Sequence, residues 1–357
     1  MDFSHDETQR AVAELAGEVL GGVADGAAEA GGDYDEAAWA ALAKVGLLSL
    51  AVPTELGGDG LGIGVVAMLW HEIGKRAVTV PAFATLGLGV LPIVAHGTAE
   101  QQAALLPGVT TGDAVLTGAP SEPAAALTGS PATTAERRGA DWEITGVKAA
   151  VPYAEQAHRM LLPAAVPGGS GVFLVDPHAG GVTLTRTPSS SGAPEYTVRL
   201  DAATAELLGT DDTRAAAATL RRYALAGAVA AGSGALAGAL ELTTAHLRTR
   251  HQFGKPLATF QAVAQQIADV YIAARTVQLA TTSATWRLAA GLDAADDLDL
   301  AAYWLAAEAL PALRTCHHLH GGLGVDVSYP LYRYYSTIKD LVRFLGGERQ
   351  RLVTMGG

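Results

Sequence analysis

Three patterns of hydrophobic and polar spacing follow one another along the chain. From Phe3 to about Thr111 apolar residues recur at helical intervals between turns. Glu7 to Val19 is amphipathic, Tyr34 to Val45 places Trp39 and Leu42 on one face, and Leu61 to Lys75 predicts a further helix. Pro81 opens an apolar segment to about Ala95, and a short helix is expected from near Thr98. From Ala114 to about Leu208 the pattern shortens to alternating runs bounded by turn residues. Examples are Trp142-Glu143-Ile144-Thr145 before Gly146, Gly171-Val172-Phe173-Leu174-Val175 before Asp176-Pro177, and Tyr196-Thr197-Val198-Arg199-Leu200. This middle stretch predicts a small β domain. Four long helical segments are then expected: Thr213 to Thr249, Gln261 to Ala289, Leu298 to His318 interrupted by Pro311, and Tyr332 to Thr354. Gly291 to Asp299 reads as the clearest loop. Small residues at Ala226, Gly227, Gly232, Gly234 and Gly238 would let helices approach closely, at some cost in helix propensity. The pattern gives an α+β protein with a helical domain over 1–113, a β domain over 114–208 and a four-helix bundle over 209–357.

Composition narrows the classes of function. With 357 residues, 49% of them hydrophobic, the chain can bury a large core. A net charge of −12 leaves no basic stripe for nucleic acid, so any polyanion must be held locally, by residues such as Arg250. The single cysteine, Cys316, rules out an internal disulfide and suits a reducing cytoplasm. Met1-Asp2-Phe3-Ser4-His5-Asp6-Glu7 is polar and acidic, unlike a signal peptide. The long apolar runs read as Ala/Gly-rich and interrupted by charge or proline. A soluble cytoplasmic protein without a membrane span is the expectation.

Candidate chemistry gathers at the corner between the first two bundle segments, Arg250-His251-Gln252-Phe253-Gly254-Lys255-Pro256-Leu257, followed by Phe260-Gln261. A guanidinium matches phosphate oxygens bidentately and a ring packs on planar groups, so such a corner can hold a flat polyanionic ligand; a solvated helical turn is the plain alternative. The cluster Gly57-Gly58-Asp59-Gly60 lacks the preceding strand and the Gly-Lys-Ser/Thr of a phosphate loop, and reads as a structural turn. His317, His318 and His320 invite a metal reading, with packing or ligand contact as the stronger one.

The run R-x-x-F-G-K-P-L, then F-Q and I-A-D from Arg250 to Asp269, resembles the acyl-CoA dehydrogenase family. So do His318-Leu319-His320-Gly321-Gly322-Leu323-Gly324 with Tyr329-Pro330, and Trp39, Gly46-Leu47-Leu48, Pro53 and the Gly57 cluster in the same order. The resemblance covers most of the chain and is weakest in the middle. It implies the family's helical, β and bundle domains, an FAD cofactor, and α,β-dehydrogenation of an acyl-CoA thioester. That reaction needs a positioned carboxylate base and an oriented flavin.

Several of the implied parts are missing. The family carries its glutamate either in the loop before the last helix or on the first bundle helix; here these places fall on Leu345 and Ala224, neither of which can take a proton. The arginine neighbouring the second place falls on Leu225, and Ser336-Thr337 replace an R-D pair after Tyr329-Pro330. Glu348 and Glu241 are the nearest acids that could substitute, though solvated helix-face roles suit both better. The family's flavin-ring segments are also altered. T-E-P becomes Ser121-Glu122-Pro123 without the following G-S-D, and W-I-T becomes Ala150-Val151-Pro152, exchanging an indole face and a hydroxyl for a methyl, an isopropyl group and an N–H-less proline.

What remains matches the elements that, by the resemblance, reach across a dimer interface to the adenosine-diphosphate part of a neighbour's FAD: Arg250, Phe253, Gln261, His318, Gly321, Gly322 and Gly324. Glycines there let backbone N–H groups approach phosphate. The expectation is therefore a non-catalytic subunit that shares FAD with a catalytic acyl-CoA dehydrogenase subunit, as heterodimer or heterotetramer. The segment His317 to Tyr335 resembles a subgroup of actinobacterial two-subunit enzymes acting on steroid side-chain CoA thioesters. A homomeric enzyme with a relocated base, or a flavin-free scaffold of the same fold, are the rival readings.

Overall fold

The structure, a computed structural model, describes residues 3–24, 33–127, 129–139, 141–210 and 213–356. Met1 and Asp2 of the acidic N-terminus thus lie outside the described residues. Local signals start the N-terminal helices. Asp6 and Gln9 exchange two hydrogen bonds ahead of α1 (Glu7–Ala24), Asp35 accepts from Ala38 N–H to cap α2 (Glu36–Lys44), and Thr98 and Gln101 form a capping box for α5 (Ala99–Leu105). Between them lie α3 (Ile63–Lys75), a π-helical stretch (Phe83–Val90) and α4 (Leu91–His96); α6 (Pro107–Thr110) closes the helical part. The Gly57 cluster is a structural turn: Gly57 is left-handed at φ 86°, and a Cβ on Gly58 would fall 2.1 Å from the Val52 carbonyl.

Seven strands form the middle part: β1 (Val115–Gly118), β2 (Thr134–Arg138), β3 (Asp141–Pro152), β4 (Ala157–Val166), β5 (Gly169–Val175), β6 (Val182–Thr187) and β7 (Glu195–Leu207). Pairing runs β4-β2-β3-β7-β5 and returns from β5 to β4, so the sheet closes on itself, with β1 added on β4 and β6 on β7. Closure lets alternate residues such as Ile144, Met160, Leu162, Phe173 and Val198 meet in a core of their own. Gly146 does not end β3 as its sequence suggested. The strand runs on to Pro152 through two register shifts, because only a residue without Cβ clears Thr133 there.

The C-terminal part comprises α7 (Thr213–Thr249), the hairpin strands β8 (His251–Gln252) and β9 (Lys255–Pro256), α8 (Gln261–Ala289), α9 (Ala295–His320), α10 (Leu331–Phe344) and α11 (Gly347–Gly356). Three expectations need correction. The last helix is two, because Gly346 and Gly347 take φ of 85° and 76° and break the run after Leu345. Pro311 sits inside an unbroken α9, at an exposed position where water can take the carbonyl its ring displaces. The loop expected from Gly291 ends early, since α9 already starts at Ala295 with Asp296 and Asp297 in its first turn.

Helix α7 is the axis of the molecule, touching α3, α8, α9, α10 and β5. It has no charge or proline between Arg222 and Glu241, contrary to the expectation of interrupted apolar runs, and by length and hydropathy it could cross a membrane. Its most apolar window is 78% buried inside the protein, so a core position accounts for that composition. Backbones of α3 and α7 meet directly: a Cβ on Gly74 would lie 2.0 Å from the Ala231 carbonyl, and Cβ atoms on Gly234 and Gly238 would lie 1.9 and 2.1 Å from those of His71 and Lys75.

Candidate functional site

The corner after α7 is built by a two-residue hairpin turn. Phe253 (φ 51°) and Gly254 (φ 80°) are both left-handed, as a type I′ connection between β8 and β9 requires. A phenylalanine in that conformation is strained, and it leaves the ring 91% exposed. The hairpin is anchored at its base by Arg250 N–H donating to the His246 carbonyl (2.8 Å) and Leu257 N–H donating to that of Arg250 (2.9 Å). Lys255 Nζ lies 4.3 Å from the centre of the Phe260 ring. Arg250 is exposed, and so is Gln261 at the first turn of α8, whose N-cap Phe260 makes no side-chain hydrogen bond to the helix.

A second segment faces solvent at the end of α9. His318 is exposed, and Gly321 and Gly322 have nothing within 4 Å of where a Cβ would stand, so their backbone is open to a ligand. Gly324, grouped with them from sequence, plays another part. It is buried, a Cβ there would lie 2.7 Å from the His317 carbonyl, and its own carbonyl pairs with His317 Nδ1 at 2.6 Å. Val325 and Val327 are 78% and 80% exposed beside this turn. Sequence reading missed the contact that joins the two segments: the ring of His246, on α7, stacks on that of His320 with centroids 4.4 Å apart. The only signal was His246 lying one helical turn before Arg250.

The region that would receive a flavin ring is different. Ala150, at the indole position, lies at a register shift of β3 with φ 55°, so the kinked backbone is present without the aromatic face. Val151 is fully buried and the Pro152 carbonyl accepts from Thr117 Oγ1 at 2.6 Å. The pocket beside them measures ≈ 160 Å³, roughly half the low end of about 300 Å³ for small-molecule sites. Its walls include Phe83, Phe344 and two carboxylates, Asp340 and Glu195. Asp340 accepts from Ser190 and Ser191 N–H (2.9 and 2.8 Å), and Arg343 bridges Asp340 and Glu195, strapping the Ser189–Pro194 loop against α10. The pocket offers a flavin ring no indole face or hydroxyl at positions 150–152, whereas the exposed corner presents a guanidinium and open glycine backbone to a phosphate-bearing group.

Both base positions are closed. Ala224 and Leu345 have no exposed surface and belong to the main hydrophobic core, where Phe83 meets both Trp70 (5.9 Å) and Phe344 (5.5 Å) edge-on. Glu241 is largely exposed and paired with Lys75 at 2.7 Å, and Glu348 is exposed in the first turn of α11. A larger cleft of ≈ 510 Å³ opens between Leu127, Pro131, the ends of β4 and β5, and α7; among the described residues Arg221 is the only charged one lining it. Ser121 and Glu122 are used structurally. Ser121 Oγ accepts from Leu127 N–H, and Glu122 pairs with the fully buried Lys148 at 2.7 Å. Burial alone would raise the Glu122 carboxyl, but Lys148 and the N–H groups of Thr133 and Ala132 reverse this and hold it near about 2. Among the described residues no His/Cys/Asp/Glu group could hold a metal.

Comparison with known proteins accounts for this layout. Residues 3–113 match the acyl-CoA dehydrogenase N-terminal domain and residues 214–355 the acyl-CoA dehydrogenase C-terminal domain. The chain belongs to the acyl-CoA dehydrogenase family. It is 45% identical to acyl-CoA dehydrogenase FadE28 of Mycobacterium tuberculosis, over 100% of this chain and 98% of that protein. Among solved structures it matches the Tcur3481-Tcur3483 steroid ACAD G363A variant (35% identity, TM-score 0.92, covering 98% of this chain and 97% of that one). It also matches the ChsE4-ChsE5 complex from Mycobacterium tuberculosis (29%, 0.92, 100% and 98%). The mixed α and β architecture is that of the family.

Proposed function

We propose that this acyl-CoA dehydrogenase is the non-catalytic subunit of a heteromeric enzyme and completes the FAD site of a catalytic partner subunit. The observation that carries this reading is an asymmetry: the corner that faces outward is open, cationic and aromatic, and the pocket that would face its own flavin ring is small and lacks an indole face or hydroxyl at positions 150–152. FAD, when bound, accepts the β-hydride of the acyl-CoA. Arg250 would fork onto the pyrophosphate, Phe253 would cover a planar face, and the N–H groups at Gly321 and Gly322 and the first turn of α8 at Gln261 would meet phosphate oxygens. His318 stands exposed beside them. Within this chain neither Ala224 nor Leu345 can remove an α-proton, and among the described residues the ≈ 510 Å³ cleft is lined by no carboxylate. The partner supplies the base. The likeness to a steroid ACAD supports a steroid-CoA thioester as substrate, and the single buried cysteine supports a cytoplasmic setting.

The test is to purify the chain alone and together with a catalytic acyl-CoA dehydrogenase subunit, and to read flavin absorbance per chain after size exclusion. A colourless chain alone and a yellow complex with about one FAD per pair, given one complete site for each two subunits, is the expected result. A yellow and active chain on its own would overturn the reading in favour of a homomeric enzyme. A colourless mixture that never associates would favour a flavin-free scaffold.

A further inference from the structure

Three side chains beneath the open corner have no part in the reading so far: His246, His320 and Tyr329. We propose that His246 and His320 are positioning residues, a neutral stacked imidazole pair that holds the Arg250 hairpin and the Gly321–Gly322 turn at the spacing FAD requires. The inference rests on the half-site reading above and adds to it a condition of charge.

The geometry is that of a clamp between three elements. His246 lies on α7, and its carbonyl receives the Arg250 N–H, so the ring and the base of the hairpin move together. His320 ends α9 and leads directly into Gly321. The rings are 4.4 Å apart and inclined by only 23°, a stacked contact, with His320 only 5% exposed. From the third element, the turn before α10, Tyr329 packs on His320 at 5.2 Å.

The hydrogen bonds place one ring proton of His320 and accommodate the neutral ring. His320 Nδ1 is 2.8 Å from the Cys316 carbonyl, which can only accept, so the ring proton is on Nδ1. Nε2, 3.1 Å from the Tyr329 hydroxyl, then accepts from it. Both nitrogens are satisfied in the neutral ring. Among the described residues, the groups facing the pair offer an imidazolium no counter-ion. Arg250 stands beside His246, His317 beside His320 on the same helix, and Tyr335 of α10 meets His317 edge-on at 5.3 Å. Burial, and after it the Arg250 charge, hold His246 below its ordinary value; burial does the same for His320, with His246 and His317 adding to it against the Cys316 carbonyl. A proton on His246 sets a charge beside Arg250, and protons on both rings set like charges within one stack; relief comes by parting the rings. Parting them separates Arg250 and Phe253 from the glycine turn.

Charge at this place can act in two opposite ways, which makes the idea testable. If the histidines merely supplied positive charge to a pyrophosphate, acid would tighten FAD binding; if they position the corner as a neutral pair, acid loosens it. The experiment measures FAD dissociation from the complex with the catalytic subunit between about pH 8 and about pH 5.5, the range in which imidazoles titrate. The native complex should weaken by about tenfold toward acid, the loss of roughly one hydrogen bond's worth of positioning. His246→Phe, which keeps a flat ring but cannot titrate, should lose that acid limb, and His246→Ala, which removes the ring, should bind weakly throughout. Acid-strengthened or pH-independent binding in the native complex would overturn the proposal, as would an unchanged acid limb in His246→Phe. Arg250→Ala separates the two levels: if it leaves FAD binding intact, the half-site reading and this pair fall together. If it abolishes binding while the native acid limb is flat, only the pair falls.

Discussion

The outward corner and the interior pocket are made from the same kinds of element and have diverged in opposite directions. At the corner, a strained Phe253, an exposed Arg250 and two unobstructed glycines keep costly local features that packing does not require. In the interior, positions that would carry a base or a flavin contact hold Ala224, Leu345, Ala150 and Val151. Three of these are fully buried, and the space beside them is small and walled by carboxylates. Features that cost stability persist where they can serve a ligand. In the interior, the corresponding positions are ordinary core and loop packing.

The largest expected effect comes from putting the acid back. Ala224→Glu should cost about 3–5 kcal/mol of stability, because a buried carboxylate would have no partner in that core. Denaturant melts would show the cost, and no gain in turnover should accompany it. Gly234→Ala should cost about 3 kcal/mol by forcing apart the α3–α7 backbone contact. If it proves neutral, the interior is less tightly packed than the distances indicate.

At the corner the same tools should read differently. Arg250→Ala should leave the melting temperature unchanged and lower FAD retention by the complex by about 2 kcal/mol, the value of a charge-assisted pair. Gly322→Ala should shift stability by less than about 0.5 kcal/mol, as surface changes do, yet weaken FAD binding. An equal effect on both readouts would erase the distinction between the regions. The smallest effect is on pH dependence. His71, His246 and His320 are all held below the ordinary imidazole value, chiefly by burial, so the folded state favours their neutral form. Their contribution is therefore complete above the unfolded value near about 6.5 and is lost as pH falls from there through the lowered folded values. A pH series of thermal melts would show a decline beginning on that acid side, and a flat profile would count against the burial of these rings.

Much of this was legible without coordinates, because it depends on local chemistry. Thr98 announces a helix start, the short apolar run around Phe173 before Asp176-Pro177 announces a strand, and Gly254 and Pro256 announce a tight corner. That the two places the family resemblance assigns to a base fall on Ala224 and Leu345 is likewise a matter of sequence register. Where local reading failed, the cause was tertiary. Gly146 looked like a strand end because its close approach to Thr133 is a contact across the sheet. Pro311 looked like a helix break because its solvent exposure is set by the bundle.

The sequence by itself determined which chemistry this chain can and cannot carry, since a guanidinium, an exposed ring or a missing carboxylate is a property of residue type and register. Only the tertiary structure decided that the pocket beside Ala150 is small and that Gly324 packs whereas Gly321 and Gly322 stand open. It alone brought His246 onto His320. Those facts depend on residues distant in sequence meeting in space, and the distances at which they meet are set by the packing of α3, α7, α9 and α10 against one another.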